Sequence, residues 1–478
     1  MLLHFLIRND AMESSLENKA LKSGVWYTFA NFITKSIGFI TTPIFARILT
    51  HEEYGLFSNF SSWLGTFTVI ATLNLGATFI SAKYDYKDSF NQYVSSMLVL
   101  SSIMTGLCAL IINIFPAFFS SLTGVSIGNL NLMFLYLCFH SAIDLFQTKE
   151  RYSFGYKKTV VIGLGIALST ALFSVYLVKT LDDHLQGRII GFITPTIVLG
   201  IIIYFLVIRS GKKIAASYWL YAIPICLPYI PHILSLSLLN SMDKMMITKI
   251  CGPEQNALYS VSYTCGAVIT MLVTAINTAF APWLGEKLKE KNYSEINSFS
   301  KKYILFFTFI SCGIMLITPE LLLIIGGRSY LEAIYVMPPV SFGCVCQFLY
   351  SMYVSVEQFN KKTLGMAIAS GLSALSNYLL NMLLIPVFGY IAAAYTTLIS
   401  FMILLGIHML LVAKMQLGNI FSKKHIFGVL LFMSLYTVGI NFLFMNNIIR
   451  YCFIVIYAFA FFFVIYKEKD LIKRVVKK

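Results

Sequence analysis

Hydrophobic residues occur in long runs along the whole chain, and short polar segments separate these runs. A helix rises about 1.5 Å per residue, so each run is long enough to cross a hydrocarbon layer of about 30 Å. The predicted spans are 24–46, 57–81, 93–116, 127–148, 159–178, 189–208, 218–242, 257–282, 303–326, 335–357, 363–385, 389–413, 425–445 and 448–466. The pattern therefore predicts an all-α polytopic membrane protein with 14 transmembrane helices.

The segments between the spans are too short for a separate folded domain. The longest of them is 283–302. Because glycosyl polymerases and ligases are expected to carry a large external loop, this pattern indicates a membrane transporter and not an enzyme.

Composition and charge agree with a membrane protein and give it an orientation. Of the 478 residues, 58% are hydrophobic and 12% are charged, whereas about 25% are charged in soluble domains. The net charge is +15, and 28 of the 36 Lys and Arg residues lie in one alternating set of segments that includes both termini. By the positive-inside rule both termini are predicted to be cytoplasmic. The basic residues serve as orientation signals, so no nucleic-acid partner is predicted.

Cysteine usage and the N-terminus add little chemistry. The nine Cys lie almost all inside apolar runs without a C-x-x-C motif or a His at ligand spacing, so we predict packing thiols, no metal and no cofactor. The apolar run Leu2–Ile7 is too short for the core of a signal peptide. Met12 opens a polar segment and would be an equally sensible start, so residues 1–11 are expected to be dispensable or untranslated.

An internal repeat emerges when the chain is aligned with itself at an offset of 202 residues. ARILTHEEYGLFS at 46–58 then matches TKICGPEQNALYS at 248–260. The identical pairs are Ile48/Ile250, Glu52/Glu254, Leu56/Leu258 and Ser58/Ser260. Both segments join the first two spans of a six-helix half, which predicts two parallel, pseudo-symmetric lobes. The predicted organisation is a cytoplasmic segment 1–23, an N-lobe 24–208, a C-lobe 218–413, a helix pair 425–466 and a basic cytoplasmic tail 467–478.

The first span carries a cation near the middle of the membrane. Thr28, Asn31, Lys35, Gly38 and Thr42 follow a 3-4-3-4 spacing and share one helix face. A Lys that faces lipid at this depth costs about 3 kcal/mol, so such residues usually face a cavity or a partner. We predict that Lys35 lines an aqueous cavity with Thr28, Asn31 and Thr42 and attracts an anionic substrate. The alternative is a Lys neutralised by an acid or by carbonyl groups for packing alone.

The eighth span presents a second polar stripe. Tyr263, Ala267, Thr270, Thr274 and Asn277 lie on one face, and we add Thr274 and Asn277 to the predicted cavity wall. Small and hydroxyl residues also mediate tight packing between helices, so an interface is an equally good interpretation.

Charged residues cluster at the predicted external end of the first and seventh spans. Asp243, Lys244 and Lys249 lie at the end of the seventh span, and Arg47 occupies the matching place in the first. They could form a basic ring at an external mouth where phosphate is held or released. Their interfacial position fits a purely structural role equally well.

Two further places in the spans could titrate. His140 and Asp144 are one helical turn apart and would share a face, either as a proton-titrating pair, as a partner for Lys35, or as an ordinary pair at a helix end. Glu357 could couple transport to an ion, or it could pair with Lys361 and Lys362 one turn beyond.

Three stretches resemble the bacterial lipid-linked oligosaccharide flippases of the O-antigen (Wzx) type, within the multidrug/oligosaccharidyl-lipid/polysaccharide exporter superfamily. ARILTHEEYGLFS at 46–58 is similar to the family's A-R-x-L-x-x-x-E-Y-G-x-[YF]-S. SMDKMMI at 241–247 is similar to its [SD]-x-D-[RK]-x-x-I. IPVFGYIAAAYTTLIS at 385–400 is similar to its I-P-x-[YF]-G-x-x-G-A-A-x-[AT]-T-x-I-S, with Ala392 at a position where the family often has Gly.

The resemblance implies a substrate and a location. The implied activity moves an undecaprenyl-diphosphate-linked oligosaccharide from the cytoplasmic to the periplasmic leaflet of a bacterial inner membrane by alternating access. The sugar head would cross through a cationic central cavity while the lipid tail stays among the membrane lipids. Polysaccharide polymerase and glycosyltransferases are the implied protein partners.

Two other functions fit the same spans. A multidrug or cation exporter of the same architecture is the nearest rival, although cation binding would favour a buried acid in the first two spans, where we find Lys35. A non-transporting scaffold could instead dock glycosyltransferases through its basic cytoplasmic loops.

Overall fold

A computed structural model describes residues 16–153, 155–360 and 362–467, and all regular structure in these ranges is helical. The first half contains α1 Leu16–Ile48, α2 His51–Thr72, α3 Phe79–Asp85, α4 Phe90–Ile114, α5 Pro116–Thr123, α6 Ile127–Tyr152, α7 Tyr156–Thr180, α8 His184–Gly211, α9 Ala216–Cys226 and α10 Ile230–Cys251. The second half contains α11 Pro253–Lys289, α12 Tyr293–Leu316, α13 Thr318–Ile325, α14 Met337–Phe359, α15 Thr363–Phe388, α16 Tyr390–Val412, α17 Lys423–Met445 and α18 Asn447–Lys467. Residues 1–11, the start of the predicted N-terminal segment and the tail after residue 467 lie outside the described residues.

Membrane-spanning helices dominate the described chain, which confirms the prediction of an all-α polytopic membrane protein. Ten described helices are long and apolar enough to cross a membrane, and the number reaches twelve when each of two bent pairs counts as one span. The helices α1 and α18 occupy the places of the first and last predicted spans. The total of 14 stays a prediction.

Two predicted spans are broken in the structure. The span predicted at 57–81 bends by 47° between α2 and α3, where Leu73 and Asn74 adopt φ values of +52° and +49°. The span predicted at 218–242 bends by 57° between α9 and α10, where Pro228 cannot donate a backbone hydrogen bond. Left-handed backbone is costly for residues other than Gly, so the first bend depends on contacts from elsewhere in the fold.

The described chain forms two compact units. The first comprises the chain up to Ile44 together with Leu64–Ile230, and the second comprises Phe45–Trp63 and the chain from Pro231. In the first unit a buried aromatic cluster lies beside the bend after α2, and the Tyr93 hydroxyl donates to Thr78 Oγ1 at 2.7 Å. Thr78 ends the short 3₁₀ turn Leu75–Thr78, so this bond holds the bend against α4. The predicted lobe boundaries stay predictions.

The second unit is built around α14 and a close crossing of α2 with α11. Ser58 and Ser260, which occupy equivalent positions in the sequence repeat, form a hydrogen bond with 2.6 Å between their hydroxyl oxygens. One turn earlier the Asn256 side chain donates to the Gly55 carbonyl at 2.9 Å. A Cβ at Gly55 would lie 1.7 Å from the Pro253 carbonyl oxygen, so only glycine permits this approach. Contact between repeat-equivalent residues is what two parallel halves would produce.

Helix α17 separates an apolar exposed face from a buried one. Its exposed large side chains follow helical spacing and are Phe427, Leu431, Leu435, Val438 and Phe442. The opposite face is buried and includes Met433 and Ile440. A fully apolar exposed stripe is typical of a helix that faces lipid.

Candidate functional site

The face of α1 that carries Lys35 is described only in part. The side chains of Thr28, Asn31 and Lys35 lie outside the described residues, although the backbone of α1 passes through all three positions. The Thr42 hydroxyl donates to the Gly38 carbonyl at 3.0 Å, so it follows the helix and is half-buried. The role of this face as a cavity wall stays a prediction.

The predicted stripe of α11 has mixed surroundings in the second unit. Thr274 is exposed and its hydroxyl donates to the Thr270 carbonyl at 2.9 Å. Asn277 is half-buried and its Oδ1 accepts from the Ser351 hydroxyl of α14 at 3.1 Å. The structure thus gives Asn277 a partner on α14 and leaves Thr274 at an exposed surface.

Asp243 lies at the centre of a buried polar network in the second unit. Its side chain is buried, with 3% of the residue exposed. Oδ2 accepts from the Tyr259 and Thr397 hydroxyls, each at 2.5 Å, and Oδ1 accepts from Asn381 Nδ2 at 2.8 Å. Asn377 links two of these partners, because it donates to Thr397 Oγ1 at 2.9 Å and accepts from Asn381 at 3.2 Å. The network joins α10, α11, α15 and α16.

Charge-assisted hydrogen bonds make this carboxylate tolerable inside a membrane protein. A buried carboxylate is costly unless donors surround it, and three donors converge on Asp243. A third hydroxyl, Thr396 Oγ1, donates to Asn381 Oδ1 and fixes the orientation of that amide. The sequence groups Asp243 with an external mouth, a role that stays a prediction, and in the structure its carboxylate is the central acceptor of this network.

A second buried polar pair links α14 and α16. Glu357 Oε1 and His408 Nδ1 are 2.7 Å apart, and neither residue exposes more than 2% of its surface. The other carboxylate oxygen, Oε2, is buried and has no hydrogen-bond partner among the described residues. The His408 ring also stacks on Tyr350, with 5.7 Å between ring centroids. Glu357 therefore has an imidazole as its partner and one carboxylate oxygen without a partner among the described residues.

A further histidine of the same unit forms its own polar contact. His232 Nδ1 on α10 is 2.8 Å from the Ser370 hydroxyl of α15. Ser370 and Ser373 are both buried and lie on α15 one turn apart. In the second unit, His232 therefore lies beside a hydroxyl group and His408 beside a carboxylate.

The remaining residues of the predicted external mouth do not share one contact. Arg47 Nη2 donates to the carbonyls of Leu323 and Ile324, at 3.4 and 2.7 Å, near the end of α13. Lys244 Nζ lies 5.2 Å from the centroid of the Tyr263 ring. Lys249 is exposed at the end of α10. A phosphate-binding ring from these residues stays a prediction.

In the first unit, a cavity lies between the bend after α2 and the end of α6. Its volume is about 450 Å³. The lining residues are Asn74, Gly76, Ala77, Asp144, Thr148, Arg151 and Tyr152. His140, which sequence paired with Asp144, stacks on Tyr136 with its Nδ1 buried and without a hydrogen-bond partner in the described chain.

An ion pair attaches α18 to α13. Arg450 is 2% exposed, and its two terminal nitrogens donate to the two carboxylate oxygens of Glu320 at 2.6 and 2.7 Å. Arg450 Nη1 also donates to the Leu316 carbonyl, and Tyr451 donates to Glu320 at 2.9 Å. A two-pronged contact of this geometry fixes the start of α18.

We expect this attachment to weaken in acid. Burial alone would raise the pKa of Glu320, but the hydrogen bonds from Arg450 and Tyr451 outweigh it and hold the pKa below its ordinary value. The stabilisation is therefore present above the ordinary carboxylate range near pH 4 and is lost as the pH falls through the lowered value. Thermal unfolding of the wild type and of Glu320→Gln, measured against pH, should differ at neutral pH and converge in acid. A difference that stays constant with pH would contradict this account.

No group of three or more His, Cys, Asp or Glu side chains that could hold a metal ion occurs among residues 16–153, 155–360 and 362–467.

Four polar residues of the buried networks were not predicted from the sequence: Tyr259, Asn377, Asn381 and His408. The signal available for them was the pair of Asn residues four positions apart in an apolar span, since polar residues within spans usually have partners there.

Comparisons with known proteins identify relatives of the chain. Residues 20–288, more than half of the chain, match the family model described as polysaccharide biosynthesis protein. Lsg locus putative protein 1 of Haemophilus influenzae is 23% identical over 285 residues, which cover 57% of this chain and 68% of that protein.

Solved structures share the fold. A structure of the lipid II flippase MurJ in an inward closed conformation superposes with a TM-score of 0.67 and 14% identity, and covers 94% of this chain and 100% of that chain. An inward-facing multidrug resistance transporter of the MATE family, in the MOP superfamily, gives a TM-score of 0.64 and 13% identity, and covers 81% of this chain and 95% of that chain. Identities this low show the fold alone, and the fold is that of these transporters.

Proposed function

Because the chain belongs to the family of polysaccharide biosynthesis proteins, we propose that it is a flippase that moves a lipid-linked oligosaccharide across the membrane. The family match over residues 20–288 is the observation that carries this proposal. The resemblance noted in the sequence gives its finer form, in which the lipid is undecaprenyl diphosphate and the direction is from the cytoplasmic to the periplasmic leaflet. The likeness of the fold to a lipid flippase and to an exporter supports transport rather than catalysis.

The proposed path for the sugar head is a cationic cavity that Lys35 lines. A diphosphate carries negative charge, and the positive charge of a mid-membrane Lys would attract it. This attraction would offset the cost of bringing the diphosphate out of bulk water to the middle of the membrane. Hydroxyl and amide groups such as Thr42 and Asn277 suit the sugar, because they both donate and accept hydrogen bonds. The lipid tail remains in the bilayer, so the cavity needs to admit the head group alone.

The test uses cells that lack this protein. Lipid-linked glycans are extracted, and a membrane-impermeant sugar-modifying enzyme reports which leaflet holds them. A complete repeat unit that accumulates on the cytoplasmic side, and that the restored wild type releases, supports the flippase. If no lipid-linked glycan accumulates, the proposal fails.

We propose that the buried Glu357–His408 pair couples transport to protons. The proposal is supported by the distance of 2.7 Å between Glu357 Oε1 and His408 Nδ1 and by the second carboxylate oxygen, which has no hydrogen-bond partner among the described residues. Glu357→Gln should lower the transport rate at least about tenfold, equivalent to about 1.4 kcal/mol, and flatten its pH dependence. The measurement is leaflet transfer against pH. Exposed Glu286→Gln is the matched control, and a mutant at Glu357 with an unchanged pH profile would count against the coupling role.

A second candidate is export of drugs, which the likeness to a multidrug transporter fold favours. Drug-susceptibility profiles of the same deletion strain separate the two functions. If the protein is a drug exporter, its deletion should change drug susceptibility and leave the distribution of lipid-linked glycans between the leaflets unchanged.

A further inference from the structure

The cavity of the first unit has polar groups on both of its walls. One wall is the turn after α2, which supplies Asn74, Gly76 and Ala77. The other wall is the last two turns of α6. Asp144, Thr148 and Arg151 follow one another there at spacings of four and three residues, so all three side chains fall on one helix face. The volume of about 450 Å³ lies in the range of sites for small ligands, about 300–1,000 Å³.

Hydrogen bonds within the fold hold this wall in place. Arg151 Nη2 donates to Thr148 Oγ1 at 2.6 Å, which orients the guanidinium and leaves its other N–H groups available. Lys83 donates to the Tyr152 carbonyl and so fixes the end of α6. The opposite wall is held in the left-handed backbone of Leu73 and Asn74, a conformation that persists only where the surroundings impose it.

Several polar groups that line the cavity can still form hydrogen bonds with a ligand. Within the described part of the chain, the Asp144 carboxylate accepts no hydrogen bond, and neither the Asn74 side chain nor the Tyr152 hydroxyl forms one. An acceptor, a cationic donor and two groups that both donate and accept therefore converge on one space. Sugars present hydroxyl groups that need both kinds of partner, and a phosphate suits the guanidinium.

We propose that this cavity binds a sugar phosphate, with Asp144 accepting from sugar hydroxyls and Arg151 donating to the phosphate. The inference rests on the proposed function, because the bound group would be the head of the lipid-linked oligosaccharide. The neighbouring segments 82–92 and 149–158 belong to the Lys- and Arg-rich set, so the cavity opens at the predicted cytoplasmic end of the first unit. The cavity would receive the head group before it moves to the other leaflet.

A metal cation is the competing occupant. The oxygens of Asp144, Asn74 and Thr148 could coordinate one, since hard cations prefer carboxylate, amide and hydroxyl oxygen. The Arg151 guanidinium lines the same cavity and would repel it. The cavity holds one acid and one base, so a ligand with hydroxyl groups for Asp144 and a negative group for Arg151 can use both, whereas a metal cation uses the acid alone.

The experiment measures binding to the full-length protein in lipid nanodiscs by saturation-transfer NMR. The probes are the 1-phosphates of glucose, galactose and N-acetylglucosamine, with free glucose, inorganic phosphate and Na⁺ as comparisons. We expect at least one sugar phosphate to bind. Asp144→Asn and Arg151→Gln should each weaken that binding by about tenfold or more, as loss of a charged hydrogen bond does. Ala77→Phe should abolish it by filling the cavity without a change in charge.

Matched controls and separate outcomes keep the test decisive. Asp182→Asn and Arg209→Gln remove the same charges at exposed positions outside the cavity and should leave binding unchanged. The proposal is overturned if no sugar phosphate binds, if Asp144→Asn and Arg151→Gln bind like the wild type, if inorganic phosphate binds equally well, or if Na⁺ displaces the sugar phosphate. The leaflet assay and the binding assay test separate proposals. If sugar phosphate binds but no glycan is transferred between leaflets, the flippase function is rejected and the assignment of this cavity as a sugar-phosphate site is retained.

Discussion

Replacing Asp243 with alanine is expected to destabilise the second unit by several kcal/mol. The substitution removes the acceptor of Tyr259, Asn381 and Thr397, and each buried donor left without a partner costs about 1–3 kcal/mol. The measurement is the midpoint of thermal unfolding in detergent, together with the rate of proteolysis. We expect a clear fall in the midpoint and faster cleavage.

The variant Asp243→Asn separates loss of the charge from loss of the hydrogen bonds. Its Oδ1 can still accept from Asn381, and its amide N–H can donate to the hydroxyl oxygens of Tyr259 and Thr397, which rotate to accept. Asp243→Asn should therefore cost much less than Asp243→Ala. Asp182→Ala, in an exposed segment, serves as the control for loss of a carboxylate. Equal midpoints for Asp243→Ala and the wild type would show that the network adds nothing to stability.

Replacing Lys35 with glutamate is expected to abolish transport in the leaflet assay. The change reverses a charge near the middle of the membrane and would repel the diphosphate that the proposed cavity attracts. Lys35→Arg should retain activity, because the positive charge remains. Lys179→Glu reverses a charge at an exposed position at the end of α7 and is the matched control.

Two results would exclude a role of the Lys35 charge in transport. If Lys35→Ala left polysaccharide assembly unchanged and Lys35→Asp were also tolerated, the charge would have no part in transport. Normal surface glycan in Lys35→Glu would lead to the same conclusion. The alternative, a Lys neutralised for packing alone, would then account for the polar face of α1.

The spans could be predicted because the membrane imposes both length and composition on them. A run such as 159–178 has to be helical, since no other local structure satisfies its backbone in lipid. The bend at Leu73 and Asn74 could not be predicted, because Leu disfavours left-handed backbone, a single Asn is a weak signal for it, and contacts such as Tyr93 to Thr78 come from elsewhere in the fold. The second bend had a signal in Pro228, which the prediction of an unbroken span 218–242 did not use.

The polar sites were visible in the sequence only as isolated residues. Asp243 and Glu357 stood out as charged residues at the ends of predicted spans, but their partners could not be assigned. Asp243 bonds to Asn381, 138 residues away, and Glu357 bonds to His408, 51 residues away. Helical periodicity shows which residues share a face and carries no information on which faces meet. Packing between helices decides that, and one sequence alone does not record it.

The hydrogen bond between Ser58 and Ser260 suggests how such a chain could have arisen. The two serines occupy the same place in two halves of one sequence and meet each other across 2.6 Å. In a forerunner made of two identical six-helix chains, one serine on a twofold axis would have met its own copy, as in any symmetric dimer. Gene fusion would preserve that contact while freeing the two halves to diverge. The serine pair would then be a remnant of the contact between the two copies.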